Sequence, residues 1–273
     1  MYKRQAFVPA PRTLSRYIKF PKRLSNNKES YIFLSSLIHE NIDKLFPGLQ
    51  VRGCHQFRVT MNSNLVFDDE DLNDIKKSLT RLLPERKYSE AVRLEVAKDC
   101  PTDVLKYLKT QYELTDLDIY KINGPVNLNR FYSIYDDIKL KALKFPEYKS
   151  KRESRYVNNK KEYFDYLKDN DIVLHHPYND FKLVIGFIKA AVLDKKTRAI
   201  KQTIYRTSPN SEIIKLLIKA ASRNISVTVV IELRAKFDEE QNIKIAKMLE
   251  DAGVQVTYGI RKHKTHAKAL LVV

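Results

Sequence analysis

The chain has 273 residues, 43% of them hydrophobic and 30% charged, with a formal net charge of +17. That length suits one large domain or two of ordinary size, and that composition excludes a globally disordered chain. No run of about 18 apolar residues occurs, since the best stretch, Leu183 to Leu193, is interrupted by Lys189; a membrane-spanning helix is excluded.

The charge is spread evenly: residues 1–160 carry 30 Lys/Arg against 20 Asp/Glu, and residues 161–273 carry 20 against 13. Such a field favours polyanions, whether nucleic acid, phosphate polymers, nucleotides or an anionic membrane surface, unless it merely reflects a Lys-rich composition. Cys54 and Cys100 stand far apart with no C-x-x-C pattern, which fits a reducing compartment. Met1-Tyr-Lys-Arg-Gln-Ala6 has charge but no apolar stretch behind it, so a soluble cytoplasmic protein is expected.

Residues 1–30 are basic and Pro-rich and read as an extended lead-in, with a strand within Leu14 to Phe20. Tyr31 to Phe46 has helical spacing, capped by Asn27 or Ser30 and stopped by Pro47-Gly48. Val51 to Thr60 reads as a strand. The acidic cluster Asp68 to Asp74 opens a helix that runs to about Leu83. Ala91 to Val96 alternates as a strand, Thr102 to Tyr112 is an amphipathic helix capped by Thr102, and Asp118 to Ile122 is a short strand. Val126 to Arg155 is mixed and ends in the charge run Lys149 to Arg155, where a linker is expected. Interleaved strands and helices up to there predict an α+β domain over residues 1–155.

From 156 to 273 the pattern is more regular. Helices are predicted over Glu162 to Asp169, Phe181 to Val192, Glu212 to Ser222 (capped by Ser208 or Asn210) and Asp238 to Ala252 (closed by Gly253). Strands are predicted over Asp171 to Tyr178, Ala199 to Arg206, Ile225 to Leu233, Val254 to Tyr258 and Ala267 to Val273. Such alternation predicts βαβ units and a largely parallel sheet. Function in these sheets gathers at the carboxyl ends of strands. Those ends hold His175, His176 and Tyr178; Tyr205, Arg206 and Thr207; Glu232, Arg234 and Lys236; and the loop 259–266. Cations beside a helix N-terminus suit a phosphate cradle; the bland alternative is polar capping of the sheet toward solvent.

His266 and Lys268 are two apart, so an extended backbone aims both at one face. Imidazole is a nucleophile near neutral pH and an ammonium attracts phosphate oxygens, which suits phosphoryl transfer; a surface His beside a solvated Lys is the bland alternative. His175 and His176 are adjacent and poor joint metal ligands on a strand. Neither a P-loop nor a G-x-G-x-x-G motif appears. Asp238-Glu239-Glu240 suits either a Mg²⁺ site or an acidic first turn, and the dipole favours the turn. Arg52, Arg58, Arg86 and Arg93 either track a polyanion or are ordinary surface residues.

Residues 171–273 resemble the first catalytic domain of the long-chain, phosphohistidine-type polyphosphate kinases. The matching stretches are Leu174-His-His-Pro-Tyr178, Ala199-Ile-Lys-Gln-Thr-Ile-Tyr-Arg-Thr207, Phe237-Asp-Glu-Glu-Gln-Asn-Ile243, Glu250-Asp-Ala-Gly253 and Lys264-Thr-His-Ala-Lys268. Leu45-Phe-Pro-Gly48, Phe57-Arg-Val-Thr60 and Ala91-Val-Arg-Leu-Glu95 are similar to that family's head or middle domain.

The resemblance implies an α+β head/middle domain (1–155), then an incomplete α/β phospholipase-D-like domain (156–273) with a largely parallel sheet. It implies reversible transfer of the ATP γ-phosphate to polyphosphate through a phosphohistidine, with Mg²⁺ as cofactor. His266, not His263, matches the phosphorylated histidine. Arg206 and Lys236 line the Mg²⁺–phosphate site without being metal ligands, because neither side chain can ligate a cation; Arg234, Lys264 and Lys268 complete the phosphate-binding set. The implied partners are ATP, ADP and polyphosphate, a second copy in a homo-oligomer, and the second half of the catalytic unit. Nucleic acid enters only as a non-specific polyanion.

Three departures stand out. Lys236 replaces a family arginine and loses the bidentate fork, for which Arg234 is a partial substitute. Lys262 and His263 replace glycine and leucine before Lys264, and Asp180 stands where serine is usual. The family's N-terminal domain, and everything beyond the point matching Val273, have no counterpart here. The expected alternative to a kinase is therefore a non-catalytic remnant that binds polyphosphate, nucleotide or nucleic acid.

Overall fold

The computed structural model describes residues 5–11, 13–26, 29–65, 74–86, 89–150, 162–260 and 263–273. Asn27, the acidic run up to residue 73, Lys151 to Arg155 of the charge run, and Lys262 lie outside the described residues. The chain divides into two compact units, Met1–Ser63 with Lys87–Phe145, and Asn64–Arg86 with Pro146–Val273.

In the first unit, β1 (Tyr17–Lys19) pairs antiparallel with β2 (Tyr31–Phe33). The helix expected from Tyr31 begins only at Leu34, because Tyr31–Phe33 finds a ladder partner and strand pairing overrides helical spacing. It is then broken: α1 (Leu34–Glu40) gives way to α2 (Ile42–Leu45) at Asn41, whose amide caps back on Leu37 O at 2.9 Å. Ser30 therefore caps no helix. The strand expected over Val51 to Thr60 is shorter and later, β3 (Phe57–Met61), antiparallel to β4 (Ala91–Ala97). α4 (Thr102–Gln111) crosses over to β5 (Ile119–Ile122), parallel to β4. Thr102 is the first helical residue of α4 rather than its cap. α5 (Tyr132–Asp137) follows, and the Tyr17 hydroxyl donates to Asp137 at 2.9 Å. Leu94, Val96, Cys100, Leu108 and Leu114 form the core of this unit. Cys54 and Cys100 are free thiols, and burial pushes both up.

The second unit contains α3 (Ile75–Glu85), α6 (Glu162–Asp169), α7 (Lys182–Leu193), β6 (Ala199–Ile204), α8 (Glu212–Ala221), β7 (Ser226–Ile231), α9 (Glu239–Asp251), β8 (Gln255–Thr257) and β9 (Leu270–Val272). Its sheet runs β8-β7-β6-β9; the first three are parallel, and β9 pairs antiparallel with β6. α8 begins after Ser211, not after Ser208 or Asn210, and without a side-chain cap. Burial alternates along β7, with Val227, Val229 and Ile231 packed into a core that also takes Ile188, Ile214, Leu217, Ile245 and Leu249 from the helices. Each such side chain contributes roughly 2 kcal/mol.

α3 docks on α9 within this unit. Leu79 is fully buried, and Lys76 pairs with Glu250 at 2.8 Å. The Tyr258 hydroxyl donates to the same carboxylate. Lys76, then Tyr258, hold Glu250 below the usual carboxylate range; Glu250 raises Lys76, and burial raises Tyr258. α9 ends where the glycine signal puts it: Gly253 has φ +81°, its N–H reaches Glu250 O, and Val254 N–H reaches Leu249 O.

Asp171 to Tyr178 is not a strand. Val173 is 87% exposed, and Asn179 organises the segment as a turn, accepting from His175 N–H at 2.7 Å and contacting His176 Nδ1 through its carbonyl at 3.0 Å. Without a ladder partner among the described residues, this apolar run is not a strand. Among the described residues no helix is long and apolar enough to cross a membrane.

Candidate functional site

β6 and β7 run parallel with Ile204 opposite Ile231, so their carboxyl ends lie side by side. β9 is antiparallel, so residues 263–269 are delivered to the same edge from the other direction. Asn242 on α9, wholly buried, ties the two ends together by donating to Tyr205 O at 3.0 Å and to Glu232 O at 2.9 Å. Gln241 beside it donates to Thr207 O at 2.5 Å.

Tyr205 is the centre of the arrangement. Its ring meets the His266 imidazole with centroids 5.2 Å apart and planes at 78°. Lys268 Nζ lies 4.6 Å from the ring centroid, Arg206 Cζ 5.4 Å and Lys264 Nζ 5.9 Å. Cations over the negative face of an aromatic ring are attracted by its quadrupole, each by about 0.5–1 kcal/mol at exposed sites. One ring thus gathers a histidine and three cations. Lys268 also donates to His266 O at 2.6 Å.

Arg206 and Lys236 are also together. Arg206 donates to Lys236 O at 2.8 Å and pairs with Asp238 at 2.7 Å. Lys236 Nζ reaches Asn64 Oδ1 at 2.8 Å. Arg234 is used differently: its guanidinium donates to His263 O and stands 3.7 Å from the Glu232 carboxylate. It braces the loop that carries His266, an assignment that spacing alone does not reveal.

The three acidic residues at the start of α9 each face a cation. Asp238 pairs with Arg206, the buried Glu239 with Arg86 at 2.6 Å, and Glu240 with Lys244 one turn on. Among the described residues no group of three or more His, Cys, Asp and Glu is arranged to hold a metal. Asp238 is the carboxylate that stands beside the Arg206 and Lys236 pair.

His175 and His176 take local partners: His175 meets the Tyr178 ring at 4.9 Å and His176 the Phe181 ring at 5.2 Å. Arg58 and Arg93 both pair with Glu95, and Arg93 stacks over Tyr120 at 3.8 Å. Asn242 is the residue that sequence reasoning passes over. It shares the stripe of Ile245, Ala246 and Leu249, and a polar side chain on a helix's apolar face is the signal that marks it.

Residues 2–134 match the polyphosphate kinase middle domain, and residues 162–273 match polyphosphate kinase C-terminal domain 1. The polyphosphate kinases of Neisseria gonorrhoeae and Pseudomonas aeruginosa are each 42% identical over 268 residues, which is 98% of this chain and 39% of theirs. That of Xylella fastidiosa is 44% identical over 269 residues, 98% of this chain and 38% of its own. The chain therefore spans well under half the length of these relatives. The crystal structure of polyphosphate kinase from Porphyromonas gingivalis superposes with a TM-score of 0.71, covering 95% of this chain and 36% of that one at 21% identity, which shows a shared fold. The three-stranded mixed sheet of the first unit and the largely parallel four-stranded sheet of the second agree with that match. The chain belongs to the polyphosphate kinase family, of which it carries the middle domain and the first C-terminal domain.

Proposed function

We propose that this chain takes part in reversible phosphoryl transfer between ATP and polyphosphate, with His266 as the acceptor. The observation that carries this reading is the gathering of His266, Lys264, Lys268 and Arg206 around the Tyr205 ring. A nucleophilic nitrogen and three cations within reach of one ring suit an incoming phosphoryl group and its charged oxygens. The imidazole lone pair forms the N–P bond while the β,γ-bridging P–O bond breaks, and that electron pair leaves on ADP. A terminal polyphosphate oxygen then attacks phosphorus, and the N–P electron pair returns to the ring. Arg206 and Lys236 hold phosphate oxygens, and Asp238 keeps Arg206 in place. Bound Mg²⁺ would neutralise charge on the transferred group.

The test is incubation of the chain with γ-labelled ATP and Mg²⁺. Acid-labile, base-stable label is expected, and it disappears in His266→Ala. Label that persists in that variant overturns the assignment.

The same cation cluster supports a second reading, binding of polyphosphate or nucleotide without turnover. It predicts affinity that falls steeply with salt and no phosphoenzyme.

A further inference from the structure

We propose that Glu232 and Thr203 are the positioning residues for His266: they pin its backbone on either side and so fix where the imidazole points. The inference deepens the reading of His266 as phosphoryl acceptor and rests on it.

His266 is exposed and precedes the first ladder residue of β9, so the sheet itself does not hold it. An imidazole on a free loop would sweep through many orientations, and misplacement by about 1 Å can cost on the order of 10²-fold in rate. The residues on each side are anchored instead. Thr265 N–H donates to Glu232 Oε2 at 2.5 Å. Ala267 O accepts from the Thr203 hydroxyl at 2.8 Å, and the Thr203 hydroxyl oxygen in turn accepts from Ala269 N–H at 2.9 Å. One anchor comes from β6 and the other from the end of β7, and together they bracket a single residue.

Glu232 is only 4% exposed. An ionised carboxylate accepts and cannot donate, and here its oxygens receive backbone N–H groups: Thr265 on one, Arg234 at 2.8 Å on the other. The Arg234 guanidinium then crosses to His263 O, closing the bracket over residues 263–265. Gly259 completes it. Its φ is +66°, and a Cβ there would sit 2.6 Å from the Thr265 hydroxyl, so only glycine lets the loop fold back this closely. A carboxylate at the end of an apolar strand is costly to bury; a leucine would pack there more simply. Its placement makes sense if the loop must be held in one position.

The experiment uses the full chain with Glu232→Gln, Thr203→Val and Thr203→Ser. Glutamine keeps the shape but turns an NH₂ toward a backbone N–H. Valine keeps the branching of threonine and deletes the hydroxyl; serine restores it. Amide exchange is read at Thr265 and Ala269, with Val229 inside β7 as the reference, together with the Tyr205–His266 ring contact by NMR and the label from ATP.

Glu232→Gln is expected to speed exchange at Thr265 by at least about tenfold and Thr203→Val to do so at Ala269, each with Val229 unchanged. In both variants the ring contact weakens and label falls by roughly tenfold or more, whereas Thr203→Ser stays near wild type. Unchanged exchange at Thr265 in Glu232→Gln overturns the proposal. So does equal acceleration at Val229, which would make these residues general stabilisers, and so does wild-type labelling from a released loop. A wild-type chain that takes no label refutes the acceptor reading alone; exchange and the ring contact still decide whether the two anchors fix the imidazole.

Discussion

Tyr205 and His266 stand edge to face, centroids 5.2 Å apart, although they are far apart in sequence and reach each other from antiparallel strands. The ring's edge meets the imidazole and its π-cloud attracts the flanking ammonium groups, so one side chain serves His266 and the cations together. Tyr205→Leu is expected to lower phosphohistidine formation by about tenfold at a stability cost of only about 1 kcal/mol, while Tyr205→Phe keeps most of the labelling. Labelling and thermal melts of the two variants measure this directly.

Asn242 offers a sharper stability test. Asn242→Leu leaves the carbonyls of Tyr205 and Glu232 without their shared donor in a fully buried place, for a loss of about 2–4 kcal/mol by urea unfolding. Asn242→Asp is expected to be worse at neutral pH, because a carboxylate would face two carbonyl oxygens. Its folded-state pKa is then raised, so that variant regains stability as pH falls and the acid becomes a donor.

Arg86 and Glu239 form a two-point ion pair at 2.6 and 3.3 Å, with the carboxylate 5% exposed. Removing only the cation strands a buried charge. Arg86→Ala is expected to cost about 3–5 kcal/mol, and Arg86→Met with Glu239→Leu distinctly less than either change alone. A double-mutant cycle in denaturant reports the difference.

The Lys76–Glu250–Tyr258 group predicts a pH signature. Glu250 is held below its ordinary value, so its contribution is present above the usual carboxylate range and fades as pH falls through the lowered folded value. Lys76 and Tyr258 are raised, so theirs is present below their ordinary values and fades as pH climbs through the raised ones. Glu250→Gln should cost less than about 1 kcal/mol at neutral pH, since the pair is part-exposed, and nothing in strong acid. Melting curves of both proteins across pH give the comparison.

Much of this protein follows from local rules. The parallel strands β6, β7 and β8, the helices between them and the Gly253 terminus of α9 are set by hydrophobic period, β-branching and glycine chemistry, which act over a few residues. The convergence of Tyr205, Arg206 and Lys236 follows from the same logic, because parallel strands bring their carboxyl ends to one edge, whereas His266 arrives there on the segment that leads into antiparallel β9.

Other features depended on partners far away in the chain. Tyr31–Phe33 has helical spacing but is a strand because Tyr17–Lys19 pairs with it, and Asp171 to Tyr178 has strand composition but no ladder partner among the described residues. The resemblance counts Arg234 among the phosphate-binding residues; the fold adds a contact that its spacing does not reveal, from its guanidinium to His263 O. Glu232, Thr203 and Asn242 are single polar residues in apolar or ordinary surroundings, and their roles exist only where the ends of β6 and β7, the face of α9 and the His266 loop meet. The sequence by itself determined which residues carry charge and which can attack phosphorus, because those are properties of side chains. The tertiary structure alone decided which side chains meet the backbone on either side of His266, because a hydrogen bond between residues 33 or 64 positions apart has no local signal.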